Sequence, residues 1–237
     1  MIGAFFQCYK QPYATYKCLE SFRAIYPTEP IILLSSGGYD YTTMANHYQC
    51  AYINEKENIS FIQALDHKPQ CMALIQRVLS AFSQLQCEYV VWLEDDVHVH
   101  KPLPTHFAYD INGFAPNCFA KQTIHQLQKY GLKPNNEYRW TGHGGSVYKR
   151  EAFVQAMKQT DTIQDILTNW EHLYLSSNIC QDMLFSLLIL CNGGTTGSYP
   201  GHIDSEQWNP NCLIQHQYKV YYNVPLPNEL QAMISFL

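Results

Sequence analysis

Tyr89-Val90-Val91-Trp92-Leu93-Glu94-Asp95-Asp96 is the stretch in which an unbroken apolar run passes directly into three carboxylates. Five β-branched, aromatic or aliphatic side chains in succession, without polar alternation, read as a strand buried on both faces in a parallel sheet. In open α/β sheets ligands bind in the crevice beyond the carboxyl ends of the strands, and the acids fall there. Adjacent carboxylates repel one another, so a cation lowers the cost of keeping them ionised. Hard oxygen donors favour Mg2+ or Mn2+ over zinc, and such ions are commonly shared with substrate phosphates. The plainer reading is a solvated acidic turn. The hydrophobic strand that feeds straight into the acids favours a functional one.

The residues before this strand alternate in the same way. Ile2–Phe6 reads as a first strand, and Pro12 suits the start of a helix in which Cys18, Leu19, Phe22, Ile25 and Tyr26 recur at helical spacing until Pro27. Ile31–Leu34 is a second strand and Cys50–Ile53 a weaker third. Between Pro69 and Gln86 the set Cys71, Leu74, Ile75, Val78, Phe82 and Leu85 follows the spacing of one helix face. The alternation is that of βαβ units around a mostly parallel sheet.

Past Pro102 and Pro104 the chain becomes loop-rich to about Tyr138. A glycine-containing strand is expected over 142–149, then a helix from Arg150, then a helix over Ile179–Cys191 that stops at Asn192-Gly193-Gly194. The expected organisation is a half over 1–105, a second half of the same domain over 106–222, and a loosely packed tail over 223–237.

Composition narrows the function classes. The 237 residues are 46% hydrophobic and 15% charged, which suits a globular core and not a disordered chain. A net charge of -5 with no cluster of lysines and arginines argues against nucleic-acid partners. No apolar run approaches the roughly 20 residues of a membrane span, and MIGAFFQCYK lacks the basic start of an export signal, so a cytoplasmic location is expected. The nine cysteines contain no C-x-x-C pair and read as small buried hydrophobes in a reducing compartment.

The stretch VVWLEDDV resembles the acidic motif of nucleotide-sugar-dependent glycosyltransferases of the GT-A fold, in both its residues and its place after a βαβαβ half. The resemblance implies an α/β, Rossmann-like fold with a mostly parallel central sheet flanked by helices and a smaller acceptor-side half. It implies a nucleotide-sugar donor, a carbohydrate or glycoconjugate acceptor, and Mn2+ or Mg2+ as cofactor. Asp96 would coordinate the metal, Glu94 would lie near the donor ribose, and Asp95 would help orient the site. Gln7 to Tyr9 and Ser35 to Gly38, with Gln7, Tyr9 and Ser36 foremost, would line a nucleoside pocket. Where many relatives carry an aspartate after the second strand, Ser35-Ser36 stand here, with Asp40 close by.

Three further segments carry the resemblance. Trp140 to Tyr148 looks like the glycine-containing strand of the donor-sugar pocket, with Gly144, Gly145 and Ser146 against the ligand; a bulge is the plainer account. Asn178-Ile179-Cys180-Gln181-Asp182-Met183 resembles the place where inverting members carry a catalytic base, here Asp182, although an acid at a helix N-terminus is also favoured by the helix dipole. Gly201-His202-Ile203-Asp204 resembles a late segment that supplies a histidine, here His202, to the metal. His98 and His100 alternate along a possible strand and should share a face. Competing readings are a sugar-phosphate nucleotidyltransferase, whose first loop would be glycine-rich where Gln7-Cys8-Tyr9-Lys10-Gln11-Pro12 has no glycine, a two-carboxylate glycoside hydrolase, and a non-catalytic carbohydrate-binding protein of the same fold.

Overall fold

The computed structural model describes residues 1–59, 68–142, 144–173, 175 and 179–236. His143 and Asn178, both within the quoted motifs, lie outside the described residues.

In chain order the first elements are β1 (Ile2–Cys8), α1 (Pro12–Ile25), β2 (Ile31–Ser36), β3 (Tyr39–Asp40), α2 (Thr42–His47), β4 (Ala51–Glu55), α3 (Lys68–Gln84) and β5 (Tyr89–Leu93). They are followed by β6 (His98–Val99), β7 (Ile111–Gly113), α4 (Lys121–Gln126), β8 (Val147–Lys149), α5 (Arg150–Met157) and α6 (Thr160–Thr168). The chain then runs through α7 (Gln181–Cys191), β9 (Thr196–Ser198), β10 (His202–Asp204), β11 (Ile214–His216) and β12 (Ser235–Phe236). A seven-stranded sheet has the order β4-β2-β1-β5-β8-β7-β9. It is parallel except at β8, which runs against both β5 and β7. A second sheet, β10-β11-β6, stands beside it, and β12 pairs with β3.

The period of two along the central strands divides the core. Phe5, Ile32, Leu34, Val90 and Trp92 face one hydrophobic cluster with α3, α5 and α7, whereas Ala4, Phe6, Leu33, Val91 and Leu93 face the other, with α1 and α2. Trp92 is fully buried in an aromatic cluster with Phe5, Phe82, Tyr148 and Phe185. Proline opens α1 without needing a hydrogen-bond partner, and the helix buries Ala14, Thr15, Cys18, Leu19, Ser21 and Phe22 on one face. Cys18 and Cys71 are buried free thiols.

The chain passes from β1 outward to β2 and β4, then crosses back to place β5 on the other side of β1. The crevice of an open sheet forms where strand order reverses, so it lies beyond Cys8 of β1 and Leu93 of β5.

Three local expectations change. Gly144 and Gly145 stand in a turn and not a strand: Gly145 takes φ +81°, and although the Gly145 N–H and the Ser146 carbonyl already bond to Trp92, the strand itself begins at Val147. The helix after Arg150 is two helices, α5 and α6, separated at Lys158-Gln159. The tail returns to the body, burying Leu226 and pairing Ser235 with Asp40. Among the described residues no helix is long and apolar enough to cross a membrane.

Candidate metal and donor site

The three acids after β5 diverge, because the chain turns at once, with the Val97 N–H donating to the Glu94 carbonyl at 3.0 Å. Glu94 Oε1 accepts the indole N–H of buried Trp92 at 3.1 Å, so the central strand itself aims this carboxylate. Asp95 turns back toward α1, where the Thr15 hydroxyl donates to its Oδ1 at 2.6 Å. Burial raises the Asp95 pKa, the Thr15 bond opposes the rise, and neighbouring Asp96 and Glu94 add to it, bringing it to about 8. Asp95 thus ties the helix to the strand end and stands apart from the other two acids. Asp96 is 5% exposed, and its Oδ1 is buried with no hydrogen-bond partner.

The third member of the cluster is His216. Strand β6 starts two residues after Asp96, and β11 pairs against it with Gln215 opposite His98, which sets the His216 ring over the acids. His216 Nε2 lies 3.4 Å from Asp96 Oδ1 and 3.5 Å from Glu94 Oε2, while its Nδ1 donates to Asp204 Oδ1 at 2.9 Å. Burial acts to lower the His216 pKa, but the Asp204 bond and the Glu94 and Asp96 charges outweigh it and raise it to about 10. Lys219 Nζ stands 3.9 Å from Asp96 Oδ2. The Tyr218 N–H holds the Asp96 carbonyl at 3.0 Å.

Glu94, Asp96 and His216 each offer a ligand atom within 4.8 Å of the others. The donor set fits a divalent ion: two carboxylates and an imidazole suit Mn2+ or Mg2+, and a buried carboxylate oxygen with no hydrogen bond, close only to the His216 ring, gains from a cation there. Sequence reasoning missed His216, one of ten histidines, because nothing in Ile214-Gln215-His216 marks it. Only the pairing of β11 with β6 does so.

His202 is placed differently from its sequence expectation. Its side chain is fully buried on β10, and neither ring nitrogen has a hydrogen-bond partner. It groups with Asp204 and His216, its Nε2 lying 3.9 Å from Asp204 Oδ1, and not with Asp96. Gly144 and Gly145 serve these two rings. A Cβ on Gly144 would lie 2.2 Å from His216 Cδ2, and one on Gly145 would lie 2.8 Å from His202 Nε2. Ser146 is buried, and its hydroxyl donates to the Gly142 carbonyl.

At the ends of β1 and β2 an open cavity of about 670 Å³ is bordered by Tyr9, Lys10, Ser36, Gly37, Gly38, Lys56 and Asn58. Gln7 Oε1 and Ser36 Oγ are buried without partners. The Ser35 hydroxyl is taken up by the Gly37 and Tyr39 carbonyls, and Asp40 Oδ1 accepts from the Thr42 N–H at 3.0 Å just before α2. Asp182 stands half-buried in the first turn of α7, and a Cβ on Gly142 would meet its Oδ2 at 3.9 Å. Its neighbour Gln181 has a buried, unpartnered Oε1 that sequence reasoning also missed. His98 and His100 do share a face, their rings 4.6 Å apart beside Trp208.

No family model and no curated protein matches the chain. Solved structures do. The galactosyltransferase LgtC, in complex with donor and acceptor sugar analogues, superposes with a TM-score of 0.54 at 13% identity over 97% of this chain and 99% of that one. An active-site glutamine-to-glutamate variant of LgtC gives 0.52 at 14% identity over 94% and 88%. The glycosyltransferase GlyE of Streptococcus pneumoniae TIGR4 gives 0.51 at 12% identity over 91% of this chain and 55% of that one. The likeness is one of fold, and the fold is that of the GT-A glycosyltransferases.

Proposed function

We propose that this chain, which has the GT-A glycosyltransferase fold, is itself a glycosyltransferase that moves a sugar from a nucleoside-diphosphate donor to an acceptor hydroxyl. The observation that carries the reading is the convergence of Glu94, Asp96 and His216 on one point at the switch of strand order, with buried Asp96 Oδ1 facing His216 Nε2 at 3.4 Å and making no hydrogen bond. These three residues would hold Mn2+ or Mg2+, which when bound stabilises negative charge on a leaving diphosphate. The cavity at Tyr9 and Ser36, one strand away, would receive the nucleoside, and Lys10, Lys56 and Lys219 supply cationic groups for phosphate. Trp92 and Asp95 act indirectly, the first by orienting Glu94 and the second by tying α1 to the strand end.

Asp182 would accept the acceptor's proton as the hydroxyl attacks the anomeric carbon, which gives inversion. Exposed Phe114, whose carbonyl accepts the Gly142 N–H at 3.2 Å and whose ring lies 6.4 Å from that of His202, would border the acceptor side together with other residues of 106–139. The anomeric configuration of the product, read by proton NMR, tests the base assignment, since a retained configuration would sink it.

The function itself is tested by thermal unfolding. A nucleoside diphosphate is expected to raise Tm only with Mn2+ or Mg2+ present, by the equivalent of about 2.7 kcal/mol at a hundred times Kd. Asp96→Asn is expected to abolish that shift and metal-dependent turnover together. Nucleotide stabilisation that ignores the metal, or full turnover in Asp96→Asn, would overturn the reading.

A further inference from the structure

His216 has two faces, and only one of them is used by the proposed function. Its Nε2 faces Glu94 and Asp96, while its Nδ1 faces Asp204 at 2.9 Å and, beyond it, His202. The His202 side chain is fully buried, yet neither ring nitrogen has a hydrogen-bond partner, a costly arrangement for an imidazole in a protein interior. Its Nε2 lies 3.9 Å from the same Asp204 oxygen. Tetrahedral zinc with bonds of 2.0–2.1 Å separates its ligands by about 3.4 Å. The two separations straddle that value, and exposed Asp204 leaves a fourth position open to water.

We propose that His202, Asp204 and His216 form a second, regulatory site for a transition metal of the zinc type, distinct from the Glu94–Asp96 site in donor chemistry. Two imidazoles and one carboxylate select Zn2+ or Co2+, whereas two carboxylates and one imidazole favour the harder Mn2+ or Mg2+. Gly145 keeps the flank of His202 Nε2 free, since a Cβ there would intrude to 2.8 Å.

The two sites exclude one another. A neutral imidazole carries a lone pair on one nitrogen and a proton on the other. An ion on His216 Nδ1 leaves the proton on Nε2, whose N–H then points at Glu94 and Asp96, where the other ion belongs. Zinc at the second site therefore switches off the first. This competition rests on the proposed function, whereas zinc binding does not.

The full chain is titrated with Zn2+ alone by calorimetry and with Co2+ alone by visible absorption. Wild type is expected to bind one equivalent, to keep it in Asp96→Asn, and to lose it in Asp204→Asn and His202→Phe. His202 is buried, so unfolding temperatures are compared, and exposed Asp204 decides if His202→Phe does not fold. No zinc bound by wild type, or zinc retained in Asp204→Asn and lost in Asp96→Asn, would overturn the second site and leave Asp204 as a group that positions His216. The competition is then read as release of Mn2+, followed by its paramagnetic resonance, when Zn2+ is added to wild type but not when it is added to His202→Phe, in which only direct displacement at the first site could act. Zinc binding without release would sink the exclusion while leaving the site, and failure of Mn2+ to bind at all would count against the proposed function instead.

Discussion

Among single residues, Gly144 has a role its neighbours do not suggest. The position lies against the His216 ring at a separation no side chain tolerates, so Gly144→Ala must displace either the turn or the imidazole. Overpacking of this kind costs about 1–3 kcal/mol. The variant is expected to unfold at lower temperature and to lose Mn2+ binding measured by paramagnetic resonance; unchanged affinity would show that the ring is not a ligand. At Asp182 the expectation is the opposite. Asp182→Asn removes a proton acceptor while keeping shape, so turnover is expected to fall by about 10²–10⁴-fold with donor affinity unchanged. A parallel loss of donor binding would mark the residue as structural. The three acids show what a motif does and does not convey: Glu94-Asp95-Asp96 is legible as a candidate site, but the separate direction of Asp95, toward Thr15, follows from the turn after Leu93.

For the elements, the strand that names the fold also aims the chemistry. Trp92 packs on Phe5 at 4.6 Å and directs its N–H to Glu94. Trp92→Ala is expected to cost about 3–5 kcal/mol in chemical denaturation, as buried aromatic truncations do. Trp92→Phe keeps most of the ring packing and removes the N–H, so it is expected to weaken metal binding more than it lowers stability; equal metal affinity would show that Glu94 needs no such guide. Apolar periodicity identified β1, α1, β2, α3 and β5, because each buries a face against the sheet. It failed where glycines cluster. At Gly144 and Gly145 side-chain patterning is absent, and the turn is set by the need to clear the rings of His216 and His202. The break between α5 and α6 likewise carries no proline or glycine to announce it.

At the scale of the whole molecule, the seven-stranded sheet draws strands from both sides of residue 105, and the short β10-β11-β6 sheet brings His202 and His216 to the mouth of the long one. The tail contributes as well: it buries Leu226, pairs with β3, and holds Gln11 through the Asn223 N–H, which donates to its Oε1 at 2.8 Å. Removal of residues 225–237 is expected to lower Tm in thermal unfolding without abolishing the fold, since the main sheet is untouched. An unchanged Tm would show that the return of the tail adds nothing. From the sequence alone came the α/β class, the buried strand and the acids at its end, because hydrophobic period and the adjacency of carboxylates are properties of neighbours along the chain. The tertiary structure alone decided that His216 and not His202 stands over Asp96, since the candidate ligand set is assembled across more than a hundred residues by strand pairing, which no local pattern encodes.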